Sequence, residues 1–172
     1  MSRDCGVGAI IAVLLVIAGC ASAPLDHPKE TTAAVRDTSH TLQAKNVARW
    51  LGDKTDVNGF YPLNEGFDAF GARLVLMDNA EVSIDVQYFL MKSDNAGLVF
   101  ASKLYEAADR GVRVRLLLDD VFTTVDDDKL AVLNDHPNVE VRIFNPIARK
   151  GIYALNYIGN FKLANRRMHN KA

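Results

Sequence analysis

Two side chains near the carboxyl end could do chemistry together: His169 and Lys171, in "NRRMHNKA" at residues 165–172. On an extended strand, residues i and i+2 project to the same face, so the imidazole and the ammonium would stand side by side with Asn170 turned away. A neutral imidazole can attack phosphorus. An adjacent ammonium can hold the non-bridging oxygens and stabilise charge that develops in the transition state. The pair therefore suits phosphoryl or phosphatidyl transfer, although the same spacing also describes an ordinary exposed strand edge. A second candidate is Asp119-Asp120 with Asp126 to Asp128 nearby, which could hold magnesium in a phosphatase-like enzyme. The preferred reading is that the first two residues finish a strand and the other three cap a helix. His136 precedes a proline in a turn, and His27 and His40 lie in or beside an irregular stretch. None of the three has a partner at ligand spacing, so no metal or cofactor is expected. Trp50 and the residues from Tyr153 to Tyr157 could meet lipid or bases, but packing on their own domain is the preferred expectation.

The elements that must position these residues follow from periodicity. "TLQAKNVARWLGD" predicts a short peripheral helix, and "DVNGFYPLNEG" supplies breakers. "DAFGARLVLMDNA" reads as a helix leading into the strand "VSIDVQYFL". There Val82, Ile84, Val86, Tyr88 and Leu90 face one way, and Ser83, Asp85, Gln87 and Phe89 the other. Asp85 and Gln87 are polar positions expected to be buried, hydrogen-bonded and supportive of the sheet. "NAGLVFASKLYEAADRG" places Leu98, Ala101, Leu104, Tyr105 and Ala108 on one helical face and stops at Gly111. "VRVRLLLDD", "DDDKLAVLNDHPN" and "VEVRIFN" continue as strand, helix, strand. This alternation predicts an α/β fold with a parallel or mixed sheet flanked by helices, expected to cover both faces. Ligands of such sheets bind beyond the carboxyl ends of the strands, here Tyr88 to Leu90, Asp119-Asp120 and Asn145. From Pro146 to about Arg167 no helical or alternating order is visible, which predicts a long loop leading to a strand near Met168.

Composition sets the surroundings. The 172 residues, 49% hydrophobic, suffice for one domain or a piece of a larger one. The net charge of -1 hides an asymmetry: no Asp or Glu follows Glu140, while Arg142, Arg149, Lys150, Lys162, Arg166, Arg167 and Lys171 do. A basic end suits an anionic ligand, or is simply a solvated loop. At the other end, "MSRDCGVGAIIAVLLVIAGCASAP" has a short polar start, an apolar run from Gly6 to Ala18 and then small residues, the layout of a secretory signal. Ile17-Ala18-Gly19-Cys20 resembles the bacterial lipobox, in which the signal is cut before a Cys that becomes lipid-modified. The alternative is an uncleaved anchor. Both attach the domain to a membrane on its outer side, with the outer membrane favoured by Ala21. Cys5 and Cys20 are the only cysteines, and cleavage would remove Cys5, so no disulfide framework is expected. The expected organisation is a signal peptide over 1–19, a flexible tether over 20–38 and a folded domain over 39–172.

In this order, "SIDVQYF", "ASKLYEAADRGVRVRLLLDD", "HPNVEVRIFNP" and "NFKLANRRMHNK" resemble the phospholipase D superfamily, most closely its bacterial cardiolipin synthase branch with the H-x-K-x4-D signature. The resemblance runs from Phe60 to Ala172. It implies that His169 matches the first-half histidine and Lys171 the phosphate-binding lysine of a metal-free reaction. In that reaction one histidine is the covalent nucleophile and a second, from a facing half, is the general acid. The Asp expected five positions after Lys171 lies beyond Ala172. The expectation is therefore the N-terminal half of such a fold, ending within its first signature and lacking the half with the second. The substrate implied is a phospholipid, reached from a membrane through lipidated Cys20, with nucleic acid not favoured. A nuclease or phosphodiesterase of the same superfamily, or a non-catalytic membrane-tethered binding domain, are the alternatives.

Overall fold

A computed structural model describes residues 28–54, 56–121, 123–148 and 153–172. The expectations on Cys5, on the apolar run and on Ile17 to Cys20 lie outside the described residues. Among those described, no helix is long and apolar enough to cross a membrane.

The chain runs α1 (Leu42–Leu51), α2 (Gly66–Asp78), β1 (Ser83–Tyr88), α3 (Asn95–Asp109), β2 (Arg113–Asp119), α4 (Asp127–Asn134), β3 (Val139–Phe144), α5 (Tyr153–Gly159) and α6 (Phe161–Ala164). Local chemistry sets the boundaries. The Thr41 hydroxyl accepts from the Ala44 amide to start α1, and the Asp94 carboxylate accepts from Gly97 to start α3. Gly111, at φ 89°, supplies the left-handed residue just past the end of α3. No residue of α1 is buried, as expected of a peripheral helix.

β1, β2 and β3 form a parallel sheet in that order, with Ile84, Val86 and Tyr88 beside Val114, Leu116 and Leu118, which lie beside Val139, Val141 and Ile143. These residues, alternate positions on one face of the sheet, join Met77 of α2, Phe100, Leu104, Ala107 and Ala108 of α3, and Leu130 and Leu133 of α4 in one apolar core. Leu104, Leu116 and Leu118 are essentially inaccessible. Each such side chain contributes about 1.5–3 kcal/mol through burial.

Helices therefore pack on one face of the sheet rather than on both. The strand order explains this: moving from β1 to β2 to β3 in the same direction, right-handed crossovers lay successive helices on the same side. The opposite face carries Asp85 beside Arg115 beside Glu140, with Gln87, Arg113 and Arg142. Asp85 and Gln87 are exposed there, which corrects the expectation that they are buried. Arg115 holds Asp85 with two bonds of 2.6 and 2.7 Å. Residues 30–33 lie across this face, because Arg142 donates to the Glu30 carbonyl, Arg113 to the Ala33 carbonyl and Arg115 to the Thr32 hydroxyl.

Two further expectations change. The buried stripe of α3 is Phe100, Leu104, Ala107 and Ala108, while Leu98 and Tyr105 are exposed. Two overlapping apolar stripes share Leu104 and Ala108, and Phe100 is turned inward by an edge-to-face contact with Tyr88 at 5.2 Å. The segment after Pro146 is not a plain loop, since α5 and α6 occupy it. Polar bonds stabilise it: buried Asn156 donates to the Ala148 carbonyl, and Asn160 donates to the Asn156 carbonyl. Helices of under two turns held this way leave no apolar periodicity to read.

Candidate active site

The carboxyl ends of all three strands meet residues 166–172, and each holds a different point of that segment. At β3, Asn145 takes a left-handed φ of 50°, which its short polar side chain tolerates, and its amide donates to the Arg166 carbonyl. At β2, Asp119 is fully buried. Its Oδ2 accepts from the Met168 amide at 2.9 Å, and its Oδ1 accepts from the Val121 amide at 3.2 Å and from Arg167 Nη1 at 3.3 Å. At β1, Gln87 exchanges two backbone bonds with Ala172, at 2.7 and 3.1 Å, and the Phe89 amide donates to the Asn170 carbonyl at 3.0 Å. Tyr88 and Lys171 thus form an antiparallel bridge along the edge of β1.

The expected strand near Met168 is therefore a single bridge at Lys171 rather than a full strand, but its extended geometry is enough to sort the side chains. Asn170 Nδ2 donates to Gln87 Oε1 at 2.7 Å, so Asn170 turns to the open face of the sheet. Lys171, bridged to Tyr88, is paired with a residue of the core face, and alternation along an extended segment would give His169 the same direction. Both are exposed. The His169 ring meets Phe89 edge-to-face, with centroids 4.7 Å apart and planes at 77°. Phe89 lies just beyond the last residue of β1, where the chain bends and the strict alternation of the strand ends.

The site therefore offers an exposed imidazole and an exposed ammonium two residues apart on a pinned segment, with Arg166 and Arg167 just before them. That arrangement can bind an anionic phosphodiester and attack it. Asp119 and Asp120 have another task. Asp120 Oδ2 accepts from the Ile147 amide at 2.6 Å, while the Thr123 hydroxyl donates to the Asp119 carbonyl at 2.7 Å. Their carboxylates serve as anchors for neighbouring backbone. Asp126 stands at the N-cap of α4 without a side-chain capping bond, although Asp127 and Asp128 occupy the first turn. Among the described residues no group of three or more His, Cys, Asp or Glu side chains could hold a metal ion. His136 lies 3.2 Å from Asp109 and stacks edge-on to Tyr105, a contact between α3 and the turn before β3. Trp50 remains well exposed, so its expected packing on the domain is only partial.

The anchoring roles of Asp119, Arg167 and Gln87 toward the His-x-Lys segment were missed from sequence. The available signal was a doubled carboxylate at the end of an otherwise apolar strand, which had to find donors somewhere.

No family model matches the chain. Curated proteins similar to it include a cardiolipin synthase C of Escherichia coli (strain K12), 49% identical over 114 residues, covering 66% of this chain and 24% of that protein. An uncharacterized protein of Helicobacter pylori (strain J99) is 36% identical over 150 residues, covering 86% of this chain and 29% of that protein. A cardiolipin synthase of Oceanobacillus iheyensis is 31% identical over 110 residues, covering 64% and 23%. The chain thus spans about a quarter of the length of the curated relatives it matches.

Proposed function

We propose that His169 is the covalent nucleophile and Lys171 the phosphate-binding cation of a phospholipase D-like phosphatidyltransferase, of the cardiolipin synthase kind, acting on phospholipid phosphodiesters. The carrying observation is the exposed His-x-Lys pair on a segment pinned at the carboxyl ends of all three parallel strands. The names of the relatives support the same reaction class.

In this reading a ring nitrogen of His169 attacks phosphorus, an N–P bond forms and the P–O bond to the leaving alcohol breaks. The leaving oxygen takes its proton from a facing histidine in a second half, carried by the longer protein of which this chain would be part. An acceptor alcohol then attacks the same phosphorus, the N–P bond breaks, and the acceptor's proton returns to the facing histidine. Lys171 holds the non-bridging oxygens throughout. The protein would reach its substrate from a membrane, held outside the cytoplasm by lipid on Cys20.

The test uses the full-length protein containing this chain, with phosphatidylglycerol as substrate. Conversion is expected to survive EDTA and to vanish in His169→Ala, and an acid-labile phosphoramidate is expected on the peptide containing His169. Conversion lost with EDTA but retained in His169→Ala would overturn the assignment. Asp119→Ala cannot discriminate, because an anchor and a metal ligand would both lose activity there.

A further inference from the structure

Beside the last residue of β1 opens a cleft walled by Phe70, Tyr88, Leu90, Met91 and Phe100. Its walls come from α2, the end of β1 and α3, and Tyr88 and Phe100 fix one side through their edge-to-face contact. Gly97 shapes the rim. The first turn of α3 approaches the Lys92 carbonyl so closely that a Cβ on Gly97 would lie 1.9 Å from that oxygen. The Asp94 carboxylate is engaged in capping the helix, accepting from the Gly97 amide at 2.9 Å, whereas Lys92 is exposed at the mouth.

The cleft adjoins the His-x-Lys segment. Tyr88, one of its walls, is the residue bridged to Lys171. Because Asn170 pairs with Gln87 on the open face, Lys171 turns toward the face of Tyr88, where the cleft lies. An apolar recess with the ammonium of Lys92 on its lining, and with Lys171 bridged to Tyr88 of its wall, matches an anionic group joined to a hydrocarbon chain.

We propose that this cleft is an acyl-chain subsite, receiving part of one fatty chain of a phospholipid whose phosphodiester lies at His169 and Lys171. The proposal rests on the function proposed above. The walls, being aromatic and aliphatic, favour chain over headgroup by the area they remove from water. Lys92 steers the anionic end toward Lys171 and keeps the tail directed inward.

Calorimetric titration of the full-length protein containing this chain with two soluble ligands tests this: dihexanoyl phosphatidylglycerol, and the same headgroup without chains, glycerophosphoglycerol. The acylated ligand is expected to bind at least about tenfold tighter, since burial of two or three methylenes suffices for that. Ala96→Trp fills the cleft from an exposed first-turn position of α3. It is expected to bring the acyl advantage below about twofold and to leave glycerophosphoglycerol binding unchanged. Leu90→Ala, which trims a part-exposed wall, is the second variant and is expected to lower the advantage without affecting the headgroup. Equal affinity of the two ligands for the wild type, binding of neither, or an acyl advantage that survives both substitutions overturns the proposal. His169→Ala in the full-length protein reads the reaction separately: if conversion of phosphatidylglycerol survives it while the cleft variants still remove the acyl advantage, the reaction proposed above fails and the subsite stands.

Discussion

Asp119 fixes the backbone that leads into His169, because its buried carboxylate holds the amide of the preceding residue, Met168, and the guanidinium of Arg167. Asp119→Ala would leave the Met168 N–H without its partner, at a cost of about 1–3 kcal/mol. We expect a lowered melting temperature and, more specifically, faster hydrogen exchange at Met168 and Ala172 than in β2. Unchanged exchange at these two amides would show that the segment is held by something else. Lys171 makes a different prediction. A cation that meets charge developing in the transition state affects rate more than ground-state affinity, so Lys171→Ala in the full-length protein should lower kcat by a larger factor than it raises KM. At this scale the chemistry was legible and its support was not. His169 and Lys171 announce themselves by type and by a two-residue spacing that any extended segment turns into one face. The two partners through which Asp119 holds the His-x-Lys segment, Arg167 and Met168, lie 48 and 49 residues away in sequence, and no local pattern links them to it.

The elements divide in the same way. β1, β2 and β3 were readable because period-2 alternation and apolar runs record burial directly, and α3 was readable up to its end because Gly111 marks it. The stripe of α3 that faces inward could not be chosen from sequence, since Leu98 and Phe100 begin competing stripes and packing against the sheet and α2 decides between them. α5 and α6 were invisible for a different reason: polar side chains of Asn156 and Asn160 hold them to backbone carbonyls. The junction of β1 and α3 yields the prediction that belongs here. Gly97→Ala must move either the helix start or the Lys92 carbonyl, because the new Cβ would lie 1.9 Å from that oxygen and backbone cannot yield as a flexible side chain can. An overpacked contact of this kind costs about 1–3 kcal/mol, well beyond the gain in helix propensity of about 1 kcal/mol. Thermal unfolding should register a net loss, and a variant as stable as the wild type would mean that the turn at residues 91–94 is softer than its geometry indicates.

For the whole molecule, strand order matters more than strand identity. The sequence allows either one-sided or two-sided helix coverage, and the 1-2-3 order selects one side, leaving an ionic face crossed by residues 30–33. The Arg115 guanidinium beside Asp85 holds that carboxyl below its ordinary range, against a smaller opposing effect of burial. A carboxylate with a lower pKa folded than unfolded contributes stability above its unfolded pKa of about 3.9 and loses it as pH falls toward the folded value. The melting temperature of the wild type should therefore drop more steeply below about pH 4 than that of Asp85→Asn, by a modest amount because the pair is partly solvated. Parallel pH profiles would remove the pair from the stability of this face. The same face bears on how the protein would sit at a membrane. If Cys20 carries lipid, as proposed, the chain between it and the bonded residues 30–33 is at most residues 21–29, which fully extended span about 30 Å at 3.3–3.6 Å each. The site would then be kept within reach of the bilayer surface rather than ranging freely. Lipid on the sulfur should make the protein partition with membranes and resist extraction by high salt, since the hold is hydrophobic and not ionic. Cys20→Ala should block lipid modification and abolish that salt-resistant partitioning if the signal is still cleaved. If cleavage also fails, an uncleaved apolar run would keep the variant on the membrane, and mass spectrometry of the N-terminus separates the two results. An unmodified Cys20 in the wild type would overturn the anchor.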